Sequence, residues 1–422
     1  MNNIQKTILS GIICNMIIGY ELTLFGVLTH IISNIFFPSE NDYLSTIKFL
    51  RSFAIGLGFR PLGAFIFGYI GDKYGRRKIL LTSVILASIS STAIAVIPSF
   101  REIGIFSPIL LLLCRIVQGM AVGGETSINS AFLIEHSVDK KNLGFLGSMK
   151  AFSGALGSIT CFVMIAICKK FTGENYEIWG WRLLFYFCSA MGIIGFSIRL
   201  RYIMEESLAY KTHDQNKSLS SSPFLELIRA YKKAFVLAIG LGVAQNAIVY
   251  SAIMFYNISV KELTLSGIDI KNVVRIMVEI TFGVSAVLLA TLSDKVGRKN
   301  VMIPILVVLA CVSLPAFSLL SYDNHYIVAF TFLLMSIPIG ASFGIYNSLA
   351  CELFPTKVRC IGFSLAHNIS AGIFGGLSPS ICMSLIEKTE TMLAAGIYLT
   401  ACALISLISV LQIKTRDRKI DW

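Results

Sequence analysis

A short polar turn occurs twice in this chain, as GDKYGRRK at 71–78 and SDKVGRKN at 293–300, each time between two long apolar stretches. The offset is 222 positions, Asp294 minus Asp72. A second pair repeats in nearly the same register: Gly119 and Gly123 in GMAVG return as Gly340 and Gly344 in GASFG, 221 positions on. A repeat this long predicts two homologous halves packed about an axis, and in a membrane protein it puts any binding site at their interface.

The solvent is set by composition. A mean hydropathy of +0.74 with 55% hydrophobic and 14% charged residues leaves too little polar surface for a water-soluble chain of 422 residues. Runs of roughly 20 apolar residues predict twelve spanning helices. They fall near 8–30, 46–70, 79–98, 108–134, 144–168, 182–203, 234–257, 271–291, 301–320, 326–349, 360–385 and 391–413. The expected class is therefore an all-α membrane protein, twelve transmembrane helices in two pseudo-symmetric six-helix halves. The halves are read as 1–203 and 234–422, joined by a polar linker over 204–233.

Lys and Arg stay on the cytoplasmic side during insertion. With the N-terminus inside, 24 of the 36 fall in cytoplasmic segments and 10 in external ones, which leaves Arg60 and Arg115 inside spans. Both termini are expected inside. The net charge of +12 follows from this asymmetry together with anionic lipid headgroups, so no nucleic-acid partner is called for. The apolar run from Ile8 outlasts a signal core, and the first helix is expected to stay in place. The ten cysteines show no metal-ligand spacing and read as small core residues, with no cofactor implied.

In each repeated turn a glycine permits the reversal, and the aspartate can accept from the amino end of a neighbouring helix. Asp72, Arg76 and Arg77 in the first turn, with Glu135 at the end of the fourth span, form one candidate set of inner-gate ion pairs. Asp294, Arg298 and Glu352 form the matching second set. Ordinary topology charges are the competing reading.

Four longer strings carry a resemblance: FRPLGAFIFGYIGDKYGRR (59–77), RIVQGMAVGGE (115–125), WGWRLLF (179–185) and ELFPTKVRCIGFSLAHNISAGIFGGLSP (352–379). The repeated turn resembles the signature loop of the major facilitator superfamily, and the four strings are similar to its metabolite:proton symporter family, most of all the proline/betaine transporter branch. That resemblance implies proton-coupled import of a small organic acid or zwitterion across a bacterial inner membrane and leaves the oligomeric state open; with no nucleophile and base pair on the loops, no enzymatic activity is expected. Within that frame a dicarboxylate or oxo-acid symporter and a transport-inactive sensor stay open. The chain departs from the family pattern at IGYE, where Ile18 stands in place of a first acidic residue and Glu21 in place of the second. It departs again at Thr126, where an aromatic is usual.

Ionisable residues inside a bilayer are costly and need a partner or a wet cavity. Glu21, Arg60, Arg115 and Glu125 are the candidates. At about 1.5 Å per residue, Arg60 and Glu125 share a depth near 15 Å from one membrane face and can pair. Arg115, Gln118 and Glu125 fall within an arc of about 80° on the fourth span and are expected to line the cavity together. Glu125 and Glu21 are read as including the proton carrier, and Arg60 or Arg115 as receiving a substrate carboxylate. A fixed Arg60–Glu125 bridge is the alternative. For a quaternary amine the aromatic candidates are Tyr20, Phe25, Tyr250, Phe255 and Tyr256. Gln245 and Asn246 are candidates for substrate hydrogen bonds. Glu279 is assigned to a local pair with Arg275, and His367 to packing or to titration near neutrality. The segments GMAVG, GALGS and GIFGG are expected to bring helix backbones close.

Overall fold

The computed structural model describes residues 3–39, 42–135, 142–202, 222–259, 264–265, 268–320, 322 and 324–414. The Ser-rich middle of the expected linker and the charged tail beyond Lys414 lie outside these. Among the described residues twelve helices are long and apolar enough to span a bilayer. They are Ile8–Val27, Ala54–Tyr74, Arg76–Val96, Phe106–Glu135, Leu143–Tyr176, Trp181–Arg201, Lys232–Ile253, Lys271–Val296, Arg298–Leu319, Tyr326–Glu352, Thr356–Thr389 and Leu393–Gln412. Each corresponds to one expected span. Large apolar side chains such as Ile89, Leu113, Leu288 and Phe330 stand exposed along them, as a lipid-facing surface requires.

The main departure in outline is at the second span. It is built from two helices, Asp42–Gly58 and Arg60–Tyr74, with a bend at Phe59. Pro61 at the start of the second helix cannot donate to the preceding turn, which is sufficient cause for the bend.

The chain forms two compact units. One comprises 1–129 and 153–206, and the other 130–152 and 207–422. Within the first, the third span packs on the sixth and the first on the sixth. Within the second, the ninth packs on the twelfth and the seventh on the twelfth, the same pairings displaced by six helices. The glycine repeat has a steric reason. A Cβ on Gly119 or Gly123 would overlap the carbonyl oxygens of Gly56 and Arg60, and one on Gly340 or Gly344 would overlap those of Phe282 and Ala286. Each copy lets one helix lie directly on the backbone of its neighbour.

GALGS acts likewise, since a Cβ on Gly157 would meet the backbone of Met16 and Tyr20. GIFGG does not. Its residues form a π-helical turn, Ala371–Gly375, in the eleventh span, and Gly375 makes room for the ring of Tyr250 rather than for a backbone.

The repeated polar turns are single-residue breaks. Gly75 (φ 101°, ψ 153°) and Gly297 (φ 102°, ψ 139°) are the only non-helical residues between their spans, in a backbone region essentially closed to side-chain-bearing residues. Between the seventh and eighth spans a two-residue antiparallel ladder sets Thr264 opposite Asp269 and Leu265 opposite Ile268. The segment FLELIRAYKK, expected to lie along the membrane surface, yields the helix Pro223–Ala230. Its Leu227 is fully buried, and Glu226 pairs with Lys357 at the start of the eleventh span.

Candidate functional site

Two buried ionisable centres stand inside the helix bundle of the first unit. In one, Glu21 on the first span is 4% exposed, and its Oε1 accepts from Ser91 Oγ at 2.7 Å and from the amide of Gln118. Arg115 donates to Gln118 Oε1 at 2.9 Å, so Gln118 relays between the guanidinium and the carboxylate. The charges of Arg115 and Arg60 both act on Glu21. The guanidinium carbon of Arg115 also lies over the ring of Phe25, 3.8 Å from its centroid. Glu21, Arg60, Arg115 and Gln118 line one cleft of about 310 Å³, mouth included, with Ile18 on its wall. The position that departs from the family pattern therefore faces the same space as Glu21.

The other centre belongs to Glu125. Its carboxylate takes both terminal nitrogens of Arg199, at 2.9 and 2.5 Å, and a hydrogen bond from Ser83. Arg199 donates further to the carbonyl of Leu80 and to Asn129. The expected Arg60–Glu125 pair is thus replaced by Arg199–Glu125: a shared depth does not fix which way two side chains face, and Arg60 lines the cleft of Glu21 whereas Glu125 faces Ser83 and Arg199. The expected common face of Arg115, Gln118 and Glu125 is split as well. Arg115 and Gln118 line the cleft of Glu21, whereas Glu125 lines a second cavity with Cys14 and Ser83.

Charge counting by loop also needs correcting. Arg199 and Lys150, grouped with cytoplasmic segments, are both buried within helices. The available signals were serines on an apolar span: Ser83 and Ser91, eight residues apart on the third helix, each meet one of the two carboxylates.

The buried ion pairs of the second unit stand at helix ends. Arg298 contacts Asp294 at 2.7 Å and Glu352 at 3.0 Å, while both carboxylate oxygens of Asp294 accept from the backbone N–H groups of Gly144 and Phe145, at 2.8 and 3.0 Å. This is the aspartate at a helix amino end expected from the turn motif. Glu135 pairs with Arg359 at 3.0 Å, a partner the sequence reading did not name. In the first unit Asp72 and Arg76, both fully buried, sit 3.5 Å apart, and Arg76 also donates to the carbonyl of Gly71. Arg77, beside them, is half-buried.

In the middle of the seventh span the polar groups are neutral. Gln245 is fully buried on the seventh span, and neither its amide nitrogen nor its oxygen has a hydrogen-bond partner. Asn246 donates to the carbonyl of Gly242 and to Ser370. Tyr256 is committed elsewhere. Its hydroxyl donates to the carbonyl of Lys271 at 2.6 Å, and its ring packs against Phe332 and under Arg275. Three other aromatic candidates are likewise occupied. Phe25 carries Arg115, Tyr20 donates to the carbonyl of Leu184, and Phe255 packs edge-on to Phe317. The ten cysteines are free thiols, buried except for half-buried Cys114 and exposed Cys311.

The sequence matches the Major Facilitator Superfamily over residues 12–379. It is 32% identical to the glycine betaine/proline/ectoine/pipecolic acid transporter OusA of Dickeya dadantii, over 99% of this chain and 84% of that one. It is 31% identical to the proline/betaine transporter of Salmonella typhimurium, over 97% and 83%. In fold it resembles the proton:xylose symporter XylE bound to 6-bromo-6-deoxy-D-glucose, with a TM-score of 0.78, 16% identity, and 96% and 94% of the two chains covered. Twelve apolar spans, a duplicated one-glycine turn and these matches place the chain, as a transporter and not an enzyme, in the major facilitator superfamily.

Proposed function

We propose that the chain is a proton-coupled symporter that imports a small carboxylate-bearing solute, proline or betaine foremost, across a bacterial inner membrane by alternating access. The observation that carries this reading is Glu21, a buried carboxylate hydrogen-bonded through Gln118 to Arg115 in the cleft that also holds Arg60. Ionised, Glu21 balances the nearby guanidinium charge. Protonated, it withdraws that balance and leaves Arg115 and Arg60 to take the solute's carboxylate in a charge-assisted contact. Proton and solute are thereby bound in one cleft, which is the requirement for coupling. Glu125, held by Arg199 and Ser83, is a packing element in this scheme rather than a carrier.

Gln245 is the proposed hydrogen-bond partner for the solute in the second unit, because a buried amide without partners is costly unless a ligand satisfies it. Asn246 and Tyr250 steady the wall around it. The chain is read as two halves, 1–203 and 234–422, with 204–233 between them and both termini inside. The ion pairs of Asp72, Arg76, Arg77, Glu135, Asp294, Arg298 and Glu352, joined by Arg359, form the inner gate.

The test is uptake of radiolabelled proline and glycine betaine into proteoliposomes under an inward proton gradient. Accumulation that a protonophore abolishes supports the reading, and accumulation indifferent to the gradient overturns it. Competition by a dicarboxylate instead of a quaternary amine would reassign the solute.

A further inference from the structure

Gln245 shares its condition with a residue that the scheme above does not use. The hydroxyl of Tyr346, on the tenth span, is fully buried, and among the described residues it has no hydrogen-bond partner, as is true of both ends of the Gln245 amide. The ring of Tyr346 packs against Phe363 and His367, at 6.0 and 5.7 Å between centroids. Its hydroxyl comes up against Gly242 on the seventh span, where a Cβ would stand 3.0 Å from it. Gln245 follows Gly242 by three residues and so leaves the helix on the same side, one turn on. Asn246, next in sequence, is satisfied by the carbonyl of Gly242 and by Ser370, so the open amide is particular to Gln245.

Two observations narrow what can pair with these groups. The first is that both are neutral. An amide oxygen and a phenolic oxygen accept hydrogen bonds without neutralising a charge, which suits an ammonium whose counter-charge travels in the same molecule. The second concerns ring faces. A quaternary ammonium has no N–H to give and is held by open aromatic faces instead. The aromatic candidates are already engaged: Phe25 and Tyr256 carry the guanidiniums of Arg115 and Arg275, Tyr20 and Phe255 pack on Phe187 and Phe317, and the ring of Tyr250 fills the space beside Gly375.

We propose that Oε1 of Gln245 and the hydroxyl of Tyr346 accept the N–H bonds of the solute's ammonium group, so that the carrier selects a primary or secondary ammonium acid over a quaternary one. The assignment rests on the solute of the preceding section, a small carboxylate-bearing zwitterion, and not on its coupling to protons. It separates two solutes that the names of the relatives join, since proline carries two N–H bonds on its nitrogen and glycine betaine carries none. Gly242 is the residue that leaves the phenol its room.

The test is equilibrium binding to the full chain in lipid nanodiscs, without a gradient. Radiolabelled proline is displaced by N-methylproline, N,N-dimethylproline and glycine betaine, and labelled glycine betaine is run beside it. The proline series keeps ring, carboxylate and positive charge while removing N–H bonds one at a time. Affinity is expected to fall about tenfold with the first methyl and about 50-fold or more with the second, as for hydrogen bonds to a charged donor. Dimethylproline or glycine betaine binding as tightly as proline overturns the proposal without any variant. Size is separated from hydrogen bonding by Gln245→Leu, which fills similar space and accepts nothing. It should weaken proline about tenfold and leave dimethylproline within about twofold. Tyr346→Phe keeps the ring, should narrow the preference in the same direction, and decides the matter should Gln245→Leu fail to accumulate. A preference that neither substitution narrows is one of size and overturns the assignment. A chain that shows this ladder yet accumulates proline without regard to protons loses the symport reading and keeps the assignment, whereas a chain that binds neither solute loses both.

Discussion

The two units bury polar chemistry at different places. In the first, ionisable groups stand inside the bundle: Glu21 with Arg115 in one cleft, Glu125 with Arg199 beside it. In the second, the paired carboxylates and guanidiniums gather where helices begin or end, at Glu135, Asp294, Arg298, Glu352 and Arg359, and the interior offers the amides of Gln245 and Asn246. One duplicated scaffold therefore carries two different polar interiors.

The comparison breaks first at Glu21. Glu21→Gln should lower gradient-driven accumulation by about 100-fold or more, which is about 2.7 kcal/mol of lost coupling, while solute exchange without a gradient stays within a few-fold. Accumulation that survives the substitution would remove the first unit's claim to the proton. Arg199→Met comes next, measured as thermal unfolding in detergent. Leaving Glu125 buried and uncompensated should cost about 3 to 5 kcal/mol, most of it regained in the Glu125→Leu/Arg199→Met double variant. Uptake by Glu125→Gln should keep the wild-type pH profile, since that pair is packing.

On the neutral side, Gln245→Leu should raise KM for the solute about tenfold while the unfolding temperature holds or rises, because the amide makes no internal hydrogen bond to lose. A fall in stability at unchanged KM would make Gln245 structural. The smallest effect is expected from Lys357→Ala. Its pair with Glu226 is part-exposed, at 33% and 24%, and should be worth less than about 1 kcal/mol in the same unfolding assay.

These contrasts were only partly legible in the sequence. Twelve spans could be read because apolar length in lipid leaves few alternatives, and the repeat could be read because Gly75 and Gly297 are held by backbone geometry and Gly119, Gly123, Gly340 and Gly344 by contact with a neighbouring backbone. Partners across helices were harder. Glu125 meets Arg199 instead of Arg60, since a shared depth does not say which way two side chains face, and Arg199 near the end of its helix looks like a loop charge. Glu135 meets Arg359, 224 positions away, with no periodicity to announce it. Lys150 was hidden for a similar reason, seven residues into its helix beside a basic loop. The aromatic candidates failed on a different ground. A tyrosine or phenylalanine in an apolar span looks the same whether its face is open or already covered, as that of Phe25 is by Arg115.

The one-residue turns at Gly75 and Gly297 carry a mechanical meaning. With a single residue between the helices Arg60–Tyr74 and Arg76–Val96, and between Ile270–Val296 and Arg298–Leu319, there is no spare chain to absorb strain, so each pair is coupled at its turn as the tines of a fork. A peptide tag or protease site inserted at either glycine would have to pry the fork apart before it could be accommodated.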